Sequence, residues 1–109
     1  MKIVVVGLGV IGGSFAMALK EASYQQVYGI DTNQQTLEKA KQMGLIKDGS
    51  VTGELFLKQA DLIILSIYPK LVKSFIESNR DNFKPGCVIT DATGVKGMFI
   101  NDILEILPN

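Results

Sequence analysis

The fold of this 109-residue chain is decided by the stretch Lys2-Ile3-Val4-Val5-Val6-Gly7-Leu8-Gly9-Val10-Ile11-Gly12. An apolar run of strand length, Lys2–Val6, leads at once into the glycine-rich segment Gly7–Gly12, and a helical pattern follows. A second apolar run, Val27–Ile30, comes directly before Asp31. A glycine-rich turn between strand and helix, with an acidic residue about twenty positions further on, is typical of a dinucleotide-binding βαβ unit.

The three glycines of this turn have different roles in such a unit. Gly7 permits the tight turn, Gly9 lets the backbone approach a pyrophosphate, and Gly12 lets the helix pack closely against the strand. The start of the helix offers free N–H groups and the positive end of its dipole to the phosphates. We therefore predict that the whole segment contacts a cofactor, namely Gly7, Leu8, Gly9, Val10, Ile11 and Gly12.

The acidic residue predicts which dinucleotide is bound. Asp31 lies 19 residues after Gly12, at the end of the second predicted strand. A carboxylate there accepts hydrogen bonds from ribose hydroxyls and repels a 2′-phosphate. Neither Thr32 nor Asn33 is basic, so no neighbour pairs with such a phosphate. These residues predict NAD rather than NADP, with Asp31 and Thr32 in the site; the alternative for Asp31 is a helix cap, which still leaves a carboxylate there.

Strand-like and helix-like patterns alternate along the chain. Strands are predicted at Lys2–Val6, Val27–Ile30, Ile46–Asp48, Leu62–Ile67 and Cys87–Asp91. The fourth is almost continuously apolar, as expected of a parallel strand covered on both faces. The alternation implies parallel βαβ units with right-handed crossovers. The predicted fold class is α/β: a Rossmann-type doubly wound parallel sheet with strand order 3-2-1-4-5 in a three-layer α/β/α arrangement.

Helices are predicted between these strands and after the last one. The last helix is expected at Met98 to about Leu107, before Pro108. The first helix follows the glycine turn and is expected to bury one apolar face. The residues of that face are Ile11, Phe15, Ala18, Leu19 and Ala22.

Further candidates for the site follow the fourth and fifth strands. In doubly wound sheets, ligands bind beyond the carboxyl ends of the strands, near the switch point between strands one and four. We therefore predict cofactor contacts from Ser66, Ile67 and Tyr68, with Tyr68 either a stacking surface or a lid on the core. Thr93 and Lys96 are polar and are placed to face the nicotinamide or a substrate. The alternative for Lys96 is a solvated residue before a helix.

The composition excludes several classes of function. Lysine plus arginine equals aspartate plus glutamate at 11 each, which argues against nucleic-acid binding. No apolar run reaches the roughly 18 residues of a membrane span, and a cytoplasmic location is the expectation. The chain has no histidine, which excludes Ser-His-Asp and Cys-His catalysis and a histidine-rich metal site. We therefore predict no metal site and no catalytic residue in this chain. Cys87 is expected to be a core residue. Arg80 is the only arginine, so the chain cannot form an arginine pair for a dicarboxylate substrate.

The chain resembles the prephenate (or arogenate) dehydrogenase family of tyrosine biosynthesis. The match runs in order through nearly the whole chain, and the last segments are more specific than the glycine turn. The segments that carry the resemblance are Gly7–Ala16, Gly29–Asn33, Ala60–Ser66, Lys84–Gly86, Thr90–Asp91 and Val95–Lys96. The chain departs from the family at Gly94, where a serine commonly precedes the Val-Lys pair, so that Thr93 would have to supply any such polar contact.

The resemblance implies an NAD-dependent oxidative decarboxylation. A hydride passes to NAD from the ring carbon that bears the hydroxyl, and loss of carboxylate gives the aromatic product, which is 4-hydroxyphenylpyruvate when prephenate is the substrate. In the family, a histidine in a Gly-His-Pro segment polarises that hydroxyl, and a helical domain follows that carries substrate-binding and dimer contacts. The resemblance therefore implies that residues 1–109 are the dinucleotide-binding domain, and that the helical, homodimer-forming domain is absent from this chain.

Two other functions fit the same fold. One is the N-terminal domain of an imine or pyrroline-carboxylate-type reductase, whose sequence opens in a similar way. The other is a stand-alone nucleotide-sensing module. A Gly-His-Pro segment downstream of Asn109 would favour the dehydrogenase over the other two.

Overall fold

A computed structural model describes residues 1–91 of the chain. In these residues strands and helices alternate without exception. The elements are β1 (Ile3–Val6), α1 (Val10–Glu21), β2 (Val27–Ile30), α2 (Gln34–Gln42), β3 (Asp48–Ser50), α3 (Glu54–Gln59), β4 (Leu62–Leu65), α4 (Pro69–Ser78) and β5 (Val88–Asp91). None of the helices in residues 1–91 is long and apolar enough to cross a membrane.

The strands form one parallel sheet in the order β3-β2-β1-β4-β5, which confirms the predicted fold class. From β1 the chain moves outwards to β2 and β3, and it then returns to β4 on the other side of β1. Val6 at the end of β1 pairs with Ile30 of β2 and with Leu65 of β4. The carboxyl ends of the three central strands are therefore level, and the loops after them meet at one edge of the sheet.

Both faces of the sheet are covered, which gives the three predicted layers. Ile3 and Val5 pack in one apolar cluster with residues of α1 and α2, which we call the α1–α2 cluster. Val4 and Val6 pack in a second cluster with residues of α3 and α4. Because adjacent side chains of a strand point to opposite faces, a strand that is buried on both faces has to be apolar at every position. This requirement accounts for the uninterrupted apolar sequences of β1 and β4.

The third strand is not where the sequence predicts it. The prediction placed it at Ile46–Asp48, whereas β3 covers Asp48–Ser50. Ile46 is instead buried in the α1–α2 cluster, and pairing with β2 begins at Asp48. Strand β3 lies at the end of the sheet, and such strands are often short and polar. The sequence Asp-Gly-Ser therefore has no apolar pattern that would reveal a strand.

The second strand lies where the sequence predicts it, and the predictions for β1, β4 and β5 are correct in position but slightly too long. Strand β4 ends at Leu65, two residues before the predicted end at Ile67. Its partner β1 ends at Val6, whose carbonyl oxygen accepts a last hydrogen bond from the Ser66 N–H at 2.7 Å. Beyond that bond the chain leaves the sheet. Strands β1 and β5 each begin one residue later than predicted.

The first helix buries a different face from the predicted one. Its buried residues are Gly12, Phe15, Ala16 and Leu19. Phe15 and Leu19 confirm part of the prediction, but Ile11 is 47% exposed, and Ala18 and Ala22 are not buried. The reason is that Gly12 rests on the backbone of the preceding turn, which rotates α1 so that the positions i, i+3, i+4 and i+7 from Gly12 face the sheet. The predicted helix at 98–107 lies outside the described residues.

Candidate dinucleotide site

A cleft of about 970 Å³ lies at the carboxyl edge of the sheet, beside the point where the strand order reverses. Its volume is within the range of cofactor and ligand sites. Most of the predicted site residues lie on its wall. They are Gly7, Gly9, Val10, Ile11, Asp31, Thr32, Ser66, Ile67 and Tyr68.

Two glycines of the turn are required by the fold itself. Gly7 has a φ of +88°, and a Cβ atom there would lie 2.3 Å from the carbonyl oxygen of Ser66. A Cβ atom at Gly12 would lie 1.7 Å from the carbonyl oxygen of Gly7. A side chain at either position would therefore displace backbone. These contacts agree with the tight turn and the close helix–strand packing expected of the two positions.

Gly9 differs from the other two glycines. A Cβ atom there would meet nothing within 4 Å, and Gly9 lies on the wall of the cleft. Packing within the described residues therefore does not require a glycine at this position. The open space above Gly9 is where a ligand's phosphates would approach the backbone of the turn, so the geometry fits the group that the sequence predicts.

The N-terminus of α1 opens into this cleft. Gly9 is the N-cap residue, no side chain of residues 1–91 caps the helix, and its first turn has no acidic residue. The first helical hydrogen bond joins the N–H of Gly13 to the carbonyl oxygen of Gly9 at 2.7 Å. The N–H groups of Val10, Ile11 and Gly12 consequently have no acceptor within the helix. Together with the helix dipole, they form an electropositive site that suits a phosphate.

Asp31 lies on the same wall, directly after β2. Its Oδ2 atom accepts a hydrogen bond from the N–H of Leu8 at 2.9 Å, and its Oδ1 atom accepts one from the N–H of Asn33 at 2.9 Å. A carboxylate can accept about four hydrogen bonds, so capacity remains for a ligand hydroxyl. The cap of α2 is Asn33, whose side chain accepts from the N–H of Thr36 at 3.2 Å. Asp31 therefore precedes the cap and does not replace it.

Two predicted contacts, Leu8 and Gly12, are not on the cleft wall, and a third lies outside the described residues. Leu8 is only 7% exposed, and its side chain packs in the α1–α2 cluster. Gly12 is buried beneath the turn. Both residues support the turn from below, and a cofactor would meet their backbone at most. Thr93, with Lys96, lies outside the described residues. Tyr68 is on the wall and 74% exposed, which excludes the alternative of a lid on the core.

The cleft also has lining residues that the sequence did not predict. Val51 and Thr52 follow β3, so they lie at the same edge of the sheet as Asp31. The rule that ligands bind beyond the strand ends would have found them if β3 had been placed correctly. Leu71, Ser74 and Phe75 reach the cleft from α4. No sequence pattern marks these helix residues, because only the packing of α4 against the sheet brings them there.

The clearest electrostatic perturbation lies away from the cleft. Lys84 donates a hydrogen bond to Asp61, and the backbone N–H of Lys2 donates a second at 2.8 Å. These bonds hold the pKa of the Asp61 carboxyl below its usual value, with the Lys84 bond as the larger cause. Asp61 directly precedes β4, at the opposite edge of the sheet. This group therefore ties strands together and takes no part in the cleft. Residues 1–91 contain no acidic or cysteine cluster suited to a metal ion.

The fold and the cleft together define a nucleotide-binding domain of the Rossmann type. Residues 15–109 match the family model of the prephenate dehydrogenase nucleotide-binding domain, and the chain belongs to this family. The match begins after the glycine turn, so the turn and the family model support the same conclusion from different residues. The predicted family membership is confirmed.

Solved structures agree with the family. Synechocystis arogenate dehydrogenase is 32% identical with a TM-score of 0.80 over 89% of this chain and 34% of that protein. Prephenate dehydrogenase from Aquifex aeolicus is 28% identical with a TM-score of 0.77 over 96% of this chain and 38% of that protein. The A. aeolicus enzyme in complex with hydroxyphenyl propionate and NAD⁺ is 27% identical with a TM-score of 0.76, over 84% of this chain and 33% of that one. The chain thus spans about a third of the length of these structures.

An imine reductase from Streptomyces aurantiacus is also similar. It is 22% identical with a TM-score of 0.69 over 84% of this chain and 31% of that chain. This likeness shows a shared fold. It does not favour the reductase alternative over the dehydrogenase family.

Proposed function

We propose that this chain binds NAD, and that it is the nucleotide-binding domain of an enzyme that oxidises and decarboxylates prephenate or arogenate. The observation that carries the proposal is the uncapped N-terminus of α1, which shares one cleft with Asp31 at the switch point of the sheet. A phosphate site and a ribose acceptor in one cleft are what a dinucleotide requires. The NAD⁺ and hydroxyphenyl propionate bound by the A. aeolicus enzyme support the choice of ligands.

Each part of the cleft has a role in this proposal. The backbone of Gly7–Gly12 binds the pyrophosphate, and Asp31 with Thr32 binds the adenosine ribose. The segment Ser66–Tyr68 lines the cofactor beyond β4, and Thr93 belongs to the nicotinamide end of the site. Asp31 favours NAD, because its charge would repel the 2′-phosphate of NADP and no basic side chain follows it at Thr32 or Asn33.

The cleft binds and orients the cofactor, and we assign no acid–base step to its residues. When bound, the nicotinamide ring supplies the hydride acceptor. The chain has no histidine to move a proton at the substrate hydroxyl, and Arg80 is its only arginine. We propose that these functions belong to a helical domain beyond residue 109, which also forms a homodimer, and that the enzyme is cytoplasmic. The support for that part is the family resemblance together with the composition.

Chemical-shift mapping on the ¹⁵N-labelled chain tests the assignment. Addition of NAD⁺ should shift the amide resonances of Gly7–Gly12, Asp31 and Thr32 in a saturable way. The amides around Asp61, at the opposite edge of the sheet, should not move and serve as an internal control. Shifts confined to other residues, or none at a high excess of NAD⁺, would contradict the proposed site.

A further inference from the structure

The carboxylate of Asp31 is bonded to the glycine turn itself. The bond from the Leu8 N–H to Asp31 Oδ2 is 2.9 Å long and spans 23 residues of sequence. Leu8 lies between Gly7 and Gly9, so the bond holds the middle of the turn. A hydrogen bond with one ionised partner is about twice as strong as a neutral one. The Asp31 carboxylate, which is expected to contact the ribose, therefore also holds the backbone of the turn that is expected to contact the phosphates.

Leu8 is held from its other side by the core. Its buried side chain packs so close to Gly29 that a Cβ atom there would lie 2.6 Å from Leu8 Cδ1. Gly29 and Asp31 are both close to the end of the second strand, so β2 fixes Leu8 through its side chain and through its N–H. With the side chain anchored, loss of the Asp31 bond would leave only the backbone of the turn free to rearrange.

We infer that Asp31 is a positioning residue for the phosphate-binding turn in addition to its role at the ribose. The inference rests on the proposed function and deepens it. It makes a prediction opposite to that of a role at the ribose alone. A ligand without ribose hydroxyls gains nothing from a ribose acceptor, and removal of a negative charge near its phosphates should leave its affinity unchanged or raise it. If Asp31 holds the turn, the same removal should weaken binding.

The test compares ADP with 2′,3′-dideoxy-ADP by calorimetric titration of the parent chain and of Asp31→Ala. We expect Asp31→Ala to weaken binding of the dideoxy compound about tenfold, the effect of one lost hydrogen bond to a charged group. Asp31→Asn keeps one side-chain oxygen that can accept from the Leu8 N–H, and it should recover part of the loss. Dideoxy-ADP bound by Asp31→Ala as tightly as by the parent chain, or more tightly, would overturn the inference.

Asn33→Ala is the matched control. Asp31→Ala also removes the acceptor of the Asn33 N–H, which lies at the start of α2. Asn33→Ala disturbs that start by removing the cap on Thr36 while it leaves the Leu8 bond in place. The control should bind dideoxy-ADP like the parent chain. An equal loss in the control would overturn the inference, because the effect would then come from α2.

Amide hydrogen exchange without ligand separates this inference from the proposed function. Asp31→Ala should raise the exchange rate of the Leu8 amide about tenfold, while amides of β1 and β4 keep their protection. Equal exchange rates in the parent and the variant would overturn the inference even if NAD binds. Failure of the parent chain to bind NAD or ADP would overturn the proposed function, whatever the exchange shows.

Discussion

Gly9→Val should weaken cofactor binding about a hundredfold and leave the fold intact, because the three glycines of the turn differ in what surrounds them. Within residues 1–91, a Cβ atom at Gly9 meets nothing within 4 Å, and its φ of −69° is open to any L residue. We expect Gly9→Val to lower the free energy of unfolding by only about 1 kcal/mol, because Gly9 is the N-cap of α1 and valine is a poorer N-cap residue than glycine. The added methyl groups would occupy the approach to the uncapped N–H groups of α1. Loss of two charge-assisted hydrogen bonds, at about 1.5 kcal/mol each, corresponds to a roughly hundredfold loss of NAD affinity.

Two substitutions in the same helix serve as controls. In Gly12→Ala the new Cβ would lie 1.7 Å from the carbonyl oxygen of Gly7, which should cost about 3 kcal/mol or more in stability. In Gly13→Ala the atom nearest to the new Cβ is the carbonyl oxygen of Leu8, at an ordinary 3.8 Å. The free energy of unfolding should therefore rise by about 0.5–1 kcal/mol, and NAD affinity should not change.

Urea unfolding and calorimetric titration with NAD⁺ measure the two effects separately. Gly9→Val should unfold close to the parent chain and bind NAD⁺ about a hundredfold more weakly. Parent-like affinity in the folded Gly9→Val variant would refute the reasoning, since the open space at Gly9 would then have no ligand. A loss of stability as large as that of Gly12→Ala would also refute the reasoning, because packing would then require the glycine at position 9.

Three further outcomes are expected. Asp61→Asn should lower the free energy of unfolding by about 0.5–1 kcal/mol at neutral pH, the range of a partly exposed ion pair. Because folding lowers the pKa of Asp61, the difference in unfolding free energy between the parent chain and Asp61→Asn should be complete above the pKa of Asp61 in the unfolded chain. It should disappear as pH falls through the pKa of Asp61 in the folded chain. Urea unfolding at several pH values measures this difference. Ser23→Gly should raise the unfolding free energy by about 0.5–1 kcal/mol, because Ser23 has a φ of +69° after α1; an unchanged urea midpoint would contradict this. The 109-residue chain should produce no NADH from prephenate at saturating NAD⁺, since it has no histidine to act as the general base, a role that typically contributes about 10²–10⁴-fold; turnover would show that the catalytic groups are in this domain.

Much of the fold could be predicted because its determinants are local. The glycine turn and the buried strands each depend on a few adjacent residues. Strand β3 could not be found by hydrophobicity, because Asp48–Ser50 is polar at the end of the sheet. The buried face of α1 was only partly predicted, since its rotation is set by a contact between Gly12 and the backbone of Gly7, which periodicity does not contain.

The candidate site divides in the same way. The dinucleotide fingerprint placed Asp31 and Thr32 at the cleft from sequence, and the rule that ligands bind at strand ends placed the segment after β4 there. Neither could identify Leu71 or Ser74, because these residues reach the cleft only through the packing of α4. The bond between Asp31 and the Leu8 N–H is a contact between two loops, and no pattern within either loop predicts it.

The central claim is that this cleft binds NAD through Asp31 and the glycine turn. Calorimetric titration of the chain with NAD⁺ and with NADP⁺ tests it most directly. We predict saturable binding of one NAD⁺ with an affinity at least about tenfold higher than that of NADP⁺, a difference of about 1.4 kcal/mol from like-charge repulsion at Asp31. Asp31→Ala should narrow the difference. Tighter binding of NADP⁺, or no binding of either dinucleotide, would contradict the account.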